Sequence, residues 1–106
     1  MSGGSLRLDK WLWYARFAKT RAMAQKLVER GQVTVDGVQV LKTSAQVHAG
    51  DTVAVVLGPV RRTVIVRDTG ARRGPPTEAR TLYDEPAPPE RLSWEDAGLP
   101  LHRSGG

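Results

Sequence analysis

The sequence predicts an α+β fold in which an N-terminal pair of helices is followed by a small antiparallel sheet. Two observations lead to this class. Apolar residues recur at helical spacing through residues 8–31, and from residue 33 onward they alternate with polar ones, as in strands. A short third helix and a flexible C-terminal tail complete the expected architecture.

The first predicted helix starts at Leu8, and its inward face carries residues at i, i+3, i+4 and i+7. These residues are Leu8, Trp11, Leu12 and Ala15. The second helix follows Thr20, whose hydroxyl can accept a hydrogen bond from the free N–H groups of the first turn. Its apolar stripe consists of Ala24, Leu27 and Val28. Gly31 is expected to end this helix in the left-handed conformation.

Residues 33–40, VTVDGVQV, predict a β-hairpin, because Asp36-Gly37 suits a type I′ turn that needs positive φ at both central positions. Two further strands are expected at residues 52–57 and, after a break at Gly58-Pro59, at residues 63–67.

The remainder of the chain is predicted to be less regular. Residues 67–76 form a basic loop, and residues 77–85 a short helix capped by Thr77. We expect one domain over residues 6–85, a disordered start at 1–5 and a proline-rich flexible tail at 86–106.

Composition narrows the functional classes. The 106 residues include no cysteine, which excludes structural disulfides, thiolate zinc sites and thiol nucleophiles. The start lacks the apolar stretch of a secretory signal, and no segment approaches the roughly 20 apolar residues of a membrane span. We therefore expect a soluble cytoplasmic protein without a membrane partner.

Positive charge is concentrated in the helix pair. The formal net charge is +5, and residues 7–30 alone hold seven Lys or Arg against two acids. Residues 86–106 hold two against three. Such asymmetry is typical of a face that binds a polyanion, although a solvated basic surface is the alternative.

Lys19-Thr20-Arg21 is the strongest candidate site. The start of a helix offers free N–H groups and a partial positive charge, so it binds phosphate readily, and two cations there suit an anion better than they suit an isolated helix. Further side chains predicted to contact RNA are Arg7, Lys10, Trp13, Tyr14, Arg16, Gln25 and Lys42. Lys26 and Arg30 are interpreted as ordinary surface residues.

The aromatic residues near the start divide into two groups. Trp11 belongs to the inward stripe, and Phe17 is expected to pack near the helix end. Trp13 and Tyr14 point elsewhere on the helical wheel, so they either stack on bases, which contributes about 1 to 3 kcal/mol per base, or cover the sheet or tail. Asp9 is expected to orient an arginine, Arg21 being the candidate across the helix pair.

Enzymatic patterns are weak. His48 and His102 are too few and too far apart to predict a metal site, and neither a glycine-rich phosphate loop nor a serine–histidine–acid arrangement occurs. A binding protein that needs no cofactor or small-molecule substrate is therefore favoured over an enzyme.

Residues 7–37, with HAGD at 48–51, resemble the RNA-binding domain first described in ribosomal small-subunit protein four. The markers are Arg7-Leu8-Asp9, Thr20-Arg21 with Ala24, Gly31-x-Val33, Asp36-Gly37 and Gly50-Asp51. Within that superfamily, LDKWLW, RRTVIVRD and TEARTLYDE are similar to the bacterial heat-shock protein fifteen group.

The resemblance implies a helix pair packed on a small curved antiparallel sheet, with RNA held by the helices. In the heat-shock group it implies action on large ribosomal subunits blocked by a nascent chain on tRNA. The implied RNA surface comprises Arg7, Lys10, Lys19, Thr20, Arg21 and Gln25. Proteins of that group commonly end in a basic helical extension. This chain differs, because its last residues are rich in proline.

The sequence thus predicts a monomeric protein that binds ribosomal RNA, most readily that of the large subunit. Two alternatives stay open. The chain could be an accessory RNA-recognition piece of an RNA-modifying enzyme such as a pseudouridine synthase, or its helices could bind duplex DNA.

Overall fold

A computed structural model describes residues 4–92 of the chain. Its two main helices are α1 (Leu8–Tyr14) and α2 (Arg21–Glu29), and a short α3 (Pro76–Ala79) continues into a 3₁₀ turn at Arg80–Leu82. None of the helices within this range has the length and apolar character needed to cross a bilayer.

Within residues 4–92, eight short strands form two antiparallel sheets. The strands are β1 (Ser5–Arg7), β2 (Val33–Val35), β3 (Val38–Gln39), β4 (Gln46–His48), β5 (Thr52–Leu57), β6 (Val60–Val66), β7 (Tyr83–Asp84) and β8 (Glu90–Arg91). The larger sheet has the order β3-β2-β5-β6-β7, with β8 also paired to β6, and β1 pairs with β4 separately. The predicted α+β architecture is confirmed.

Both main helices end in Schellman motifs. At the end of α2, Gly31 has a φ of +75°, and the N–H groups of Gly31 and Gln32 donate to the carbonyls of Val28 and Leu27. At the end of α1, Arg16 occupies the equivalent position with a φ of +66°. A residue other than glycine is uncommon in this left-handed backbone conformation. The tight reversal places the start of α2 next to α1.

The core lies between the helix pair and the larger sheet. Leu8, Trp11 and Leu12 are fully buried, and they belong to one cluster with the inward valines of β2, β5 and β6. The Trp11 indole N–H also donates to the Asp68 carbonyl at 3.0 Å. Phe17 is buried as well. The packing predicted for Trp11, Leu12 and Phe17 is confirmed.

The two β-hairpins turn differently. Asp36 and Gly37 have φ values of +52° and +83°, as the predicted type I′ turn requires. The break predicted at Gly58-Pro59 is instead a tight turn, because Leu57 pairs directly with Val60. Gly58 has a φ of +63° before a proline, which suits a type II′ turn, so β6 begins three residues earlier than expected.

The prediction for residues 77–85 was wrong in extent. The helix starts at Pro76 with Pro75 as its N-cap, so Thr77 does not cap it. It gives way to a strand at Tyr83, because the edge of β6 pairs with residues 83–84. Backbone pairing with an existing edge overrides a weak helical stripe.

Strands are also present where flexible ends were predicted. Ser5 pairs with His48, and Glu90–Arg91 pairs with the start of β6. Leu92 is buried, and its N–H donates to the Pro59 carbonyl at 2.7 Å. The rest of the two predicted flexible ends, residues 1–3 and 93–106, lies outside the described residues.

Arg62 of β6 connects the residues around β7 with the segment between α1 and α2. The Arg62 guanidinium donates to both carboxylate oxygens of Glu85, at 3.0 and 2.7 Å, and lies 4.7 Å from the centre of the Phe17 ring. The same guanidinium lies 5.9 Å from the centre of the Tyr83 ring. The Glu85 hydrogen bonds raise the pKa of Arg62, even though burial opposes this. We call these four residues the Arg62 cluster.

Candidate nucleic-acid interface

Asp9 is the buried centre at which the starts of α1 and α2 meet. Its side chain has no exposed surface, although it is the second residue of α1. Arg7 donates to its two oxygens, both at 3.1 Å, and Gln25 of α2 donates at 3.1 Å. The backbone N–H of Lys10 donates at 2.8 Å. This carboxylate therefore ties the two helices together.

Arg21 is held at the same carboxylate by charge. Its Nε lies 3.6 Å from Asp9 Oδ2, which is beyond hydrogen-bond distance, and this buried Nε makes no hydrogen bond within residues 4–92. The Arg21 side chain is 38% exposed and that of Arg7 is 41% exposed. Asp9 thus positions two cations that still reach solvent. The prediction that Asp9 orients Arg21 is confirmed.

The pKa of Asp9 lies below its ordinary value. Burial by itself would raise this pKa, because it disfavours the charged form. Hydrogen bonds from Arg7 and Gln25 and the charges of Arg21 and Arg7 outweigh that effect. The carboxylate is therefore ionised at neutral pH.

The loop after β3 packs against the start of α1. The Leu8 N–H donates to the Ala45 carbonyl at 2.7 Å, and Arg7 Nη2 lies 3.5 Å from Thr43 Oγ1. Lys42, next to Thr43, is exposed. The structure therefore places Lys42 near Arg7, although the two residues are far apart in sequence.

The start of α2 has the predicted cap. Thr20 Oγ1 accepts a hydrogen bond from the Met23 N–H at 3.1 Å, and the Thr20 carbonyl accepts from Ala24 at 3.1 Å. The Arg21 and Ala22 N–H groups, in the first turn, find no acceptor within residues 4–92. Lys19 and Thr20 are both exposed.

The structure brings together most of the predicted RNA-contacting residues. We define the Asp9 site as Arg7, Asp9, Lys10, Lys19, Thr20, Arg21, Gln25 and Lys42. Of its cations, Lys10, Lys19 and Lys42 form no ion pair within residues 4–92. The site therefore carries a surplus of positive charge around one buried carboxylate.

Tyr14 and Trp13 are covered to different extents. Tyr14 is 7% exposed, and its hydroxyl lies 3.4 Å from the Ala71 carbonyl oxygen. Trp13 is partly buried, the Arg73 guanidinium lies 5.7 Å from its ring centre, and Arg73 Nε donates to its carbonyl. The packing alternative is therefore favoured for both rings, and most strongly for Tyr14.

Arg16 does not join the Asp9 site. Its Nε donates to the Gly74 carbonyl at 2.8 Å, so its side chain is turned toward the loop of residues 67–76. Sequence reasoning missed the docking of this loop through Arg16 and Arg73. It also missed Asp9 as the centre of the site, for which the Arg7-x-Asp9 spacing was the available signal.

His48 lies beside a single acid in the described part of the chain. His48 Nδ1 lies 3.6 Å from Asp51 Oδ2. Across residues 4–92, His, Asp and Glu side chains nowhere gather in threes at metal-binding distances.

Comparisons with known proteins identify the family of the chain. The S4 domain family matches residues 6–53. Heat shock protein 15 of Escherichia coli strain K12 is 46% identical over 82 residues, which is 77% of this chain and 61% of that protein. The chain thus spans about three fifths of the length of this relative.

Two other similar proteins are covered more fully. The RQC P-site tRNA stabilizing factor of Halalkalibacterium halodurans is 35% identical over 74% of this chain and 88% of its own length. A trimeric structure of Vibrio cholerae heat shock protein 15 is 39% identical, with a TM-score of 0.74 over 79% of this chain and 84% of that one. The resemblance noted in the sequence is confirmed, and the chain belongs to the heat shock protein 15 family and carries an S4 domain.

Proposed function

We propose that the protein binds folded ribosomal RNA through the Asp9 site. The observation that carries this proposal is the charge balance, because one buried carboxylate holds two arginines while Lys10, Lys19 and Lys42 add charge without an acid partner in residues 4–92. Phosphates are the ligands that such a surface and a helix N-terminus recognise together.

The site suits recognition of shape more than of base sequence. The cations and the Arg21 and Ala22 N–H groups offer donors to phosphate oxygens, which position an RNA without reading its bases. Because Tyr14 is buried and Trp13 is partly buried, the proposal assigns little of the affinity to base stacking. Folded RNA is commonly recognised through such backbone contacts.

The names of the relatives indicate which RNA the protein binds. One relative is named as a factor that stabilises P-site tRNA, and others as heat shock proteins. We infer that this chain acts in the cytoplasm on large ribosomal subunits blocked by a nascent chain on tRNA. It would do so by binding, without catalysing a reaction.

The first test is a salt titration of binding to fragments of large-subunit ribosomal RNA. A site of about five phosphate contacts should give a slope of roughly −3 to −5 in log affinity against log salt. The double variant Lys10→Ala with Lys19→Ala should bind more weakly, and its slope should be shallower by about 2 because two phosphate contacts are lost. Its thermal midpoint should stay close to that of the wild type, because neither lysine is ion-paired within the described residues.

A matched control comes from two arginines that are already paired with acids. Arg67→Ala with Arg72→Ala removes the same number of charges from exposed ion pairs with Asp84 and Glu78. Affinity and slope should then stay near the wild-type values. Equal losses in the two double variants would mean that net charge, and not the Asp9 site, determines binding.

The target is tested by co-sedimentation. Large subunits that carry a nascent chain on tRNA should retain more protein than empty large subunits, and small subunits should retain less. Competition by DNA of matched length would favour the duplex-DNA alternative. Modified nucleosides in RNA incubated with the protein would favour the enzyme-accessory alternative.

We also propose that the protein acts as a monomer. Its exposed large apolar side chains within residues 4–92 are divided among α2, β3 with the loop after it, and β6. Light scattering across a concentration series would test this, and a mass three times that of the chain would indicate the trimeric arrangement described for the Vibrio cholerae protein.

A further inference from the structure

An apolar groove with a volume of about 140 Å³ begins beside the start of α2, next to the Asp9 site. Ala18, which lines the groove, adjoins Lys19. The N–H of Met23, another lining residue, donates to Thr20. The groove then runs between α2 and Leu57 of β5. It is therefore continuous with the end of the Asp9 site that Lys19 and Thr20 form.

The groove and Asp9 lie along different faces of α2. Arg21 and Gln25, one turn apart, share the face that meets Asp9. The helix residues that line the groove share another face, since they recur at i, i+3, i+4 and i+7. They are Met23, Lys26, Leu27 and Arg30. Both faces begin in the first turn, so a ligand held there can continue along the groove without displacing the contacts of Asp9.

The groove combines an apolar floor with cations at its exposed edge. Lys26 and Arg30, interpreted from the sequence as ordinary surface residues, are exposed and form no ion pair within residues 4–92. Lys19 adds a third such cation at the near end. This arrangement suits a ligand in which a flat apolar group is flanked by negative charges. An unpaired nucleotide in an RNA strand has this character, whereas an apolar peptide would leave the cations without partners.

We propose that the groove binds one unpaired nucleotide of the RNA, with its base against Met23 and its flanking phosphates near Lys26 and Arg30. This inference rests on the proposed function, because the same strand would place a phosphate at the start of α2. An apolar cavity of about 150 Å³ accommodates a benzene ring, so the groove has room for an aromatic ring. Met23 is 49% exposed there, and a thioether sulfur contacts aromatic rings favourably.

The groove would distinguish single-stranded from paired RNA. A base within a continuous duplex is stacked and paired, so only an unpaired base can enter a groove on the protein surface. The floor consists of apolar side chains, which provide contact area but few hydrogen bonds to base edges. Recognition at this position would therefore depend on whether the nucleotide is unpaired and little on which base it carries.

Three RNA probes with the same stem test the inference: one with a single bulged uridine, one with an abasic residue at the bulge, and one fully paired. The first two carry the same number of phosphates, so their comparison isolates the base. The full chain should bind the bulged probe about fivefold more tightly than the abasic probe, which is the lower end of what one base contact contributes. The paired probe should bind no better than the abasic one.

Met23→Ala should reduce that difference to less than about twofold and leave the salt slope unchanged, because it removes a wall of the groove and no charge. Ile65→Ala is the matched control. Ile65 is also an exposed apolar residue, but it lies between the buried Val64 and Val66 and so on the face of β6 away from the core. This variant should keep the full difference. Lys26→Ala with Arg30→Ala should make the slope shallower by about 2 for both bulged probes.

Equal affinities for the uridine and abasic probes would overturn the inference, as would a difference that Met23→Ala leaves in place. The proposed function would survive either result if Lys10→Ala with Lys19→Ala still weakened binding to these probes. If that double variant bound as tightly as the wild type, the proposed function would fail, whatever the effect of the base. Absence of binding to all three probes would overturn both.

Photocrosslinking locates the base independently. A 4-thiouridine replaces the bulged uridine, the complex is irradiated, and the protein is digested with trypsin, which cleaves after Lys and Arg. The adduct should lie on residues 17–19 or 22–30, which include Phe17 and Met23. An adduct mainly on another peptide, such as residues 11–16 with Trp13 and Tyr14, would overturn the inference.

Discussion

The Asp9 site and the Arg62 cluster both join arginine to a carboxylate, but they reverse the roles of the two groups. At the Asp9 site, one fully buried acid serves two arginines that reach solvent. In the Arg62 cluster, one arginine is enclosed by one acid and two aromatic rings. The first arrangement leaves a positive surplus at the surface, and the second leaves none.

The partners of a cation, more than the number of cations, therefore indicate a binding surface. Arg61, Arg67 and Arg72 each pair with their own acid, in addition to Arg62. The sequence places many arginines in both halves of the chain. Only the fold distinguishes the arginines that are neutralised locally from those that remain available to an external anion.

The largest expected effect comes from Asp9→Ala. This change removes the common acceptor of Arg7, Gln25 and the Lys10 N–H and leaves two cations facing each other. We expect a loss of about 2 to 4 kcal/mol in the free energy of unfolding, together with weaker RNA binding. Urea denaturation measures the first quantity. Glu29→Ala, which removes an exposed acid from α2, is the control and should change stability little.

The pH dependence of stability isolates the charge of Asp9. Because its pKa is lower in the folded state, its contribution is fully present above the ordinary value of about 3.9 and is lost as pH falls through the folded value. Asp9→Asn should therefore flatten the decline in stability below about pH 4. An unchanged decline would show that other carboxylates cause it.

Arg62→Met should come next, and it should separate stability from binding. The methionine keeps apolar contact with Phe17 but leaves the Glu85 carboxylate without its hydrogen bonds. We expect a loss of about 1 to 3 kcal/mol in stability, with RNA affinity unchanged at a temperature where the variant is folded. Combining it with Glu85→Gln should cost less than the sum of the two single changes.

Thr20→Ala should have a smaller effect on stability. The change removes the side-chain cap from the Met23 N–H, so we expect a loss of about 1 kcal/mol in stability. Thermal unfolding would measure it. Thr20→Ser should restore most of the loss, and a serine variant as unstable as the alanine variant would argue that the threonine methyl group matters more than the cap.

Arg67→Ala should have the smallest effect. Arg67 and Asp84 form a 3.2 Å pair whose side chains are 60% and 56% exposed. Solvent screens such a pair, so we expect stability to stay within about 0.5 kcal/mol of the wild-type value. RNA affinity should also be unchanged. A clear loss of affinity would extend the RNA surface onto the sheet.

Local signals predicted the elements that carry their own boundary chemistry. Thr20, Gly31 and Asp36-Gly37 each favour one backbone conformation whatever surrounds them, and the structure places a cap, a helix end and a turn at these positions. Helical spacing likewise placed Trp11 in the core. In these cases neighbouring residues in the chain supply the decisive interactions.

The features that the sequence did not reveal depend on residues that are far apart in the chain. Tyr83 and Glu90 become strand residues because β6 offers an unpaired edge, which no local pattern reveals. Arg16 stays a predicted RNA contact, but its hydrogen bond to the carbonyl of Gly74, far along the chain, was not foreseen. Asp9 was predicted to orient an arginine, whereas its role in joining both helices also depends on Gln25. Long-range contacts of this kind require the fold itself.

The paired strands β7 and β8 have a consequence for self-association. Together they run antiparallel to β6, and residues 85–89 bulge out opposite residues 62–64. Three of those five residues are prolines, which have no amide hydrogen to offer a neighbouring chain. The outer border of the sheet is therefore a poor template for strand addition, and this protects the protein from polymerising through that edge.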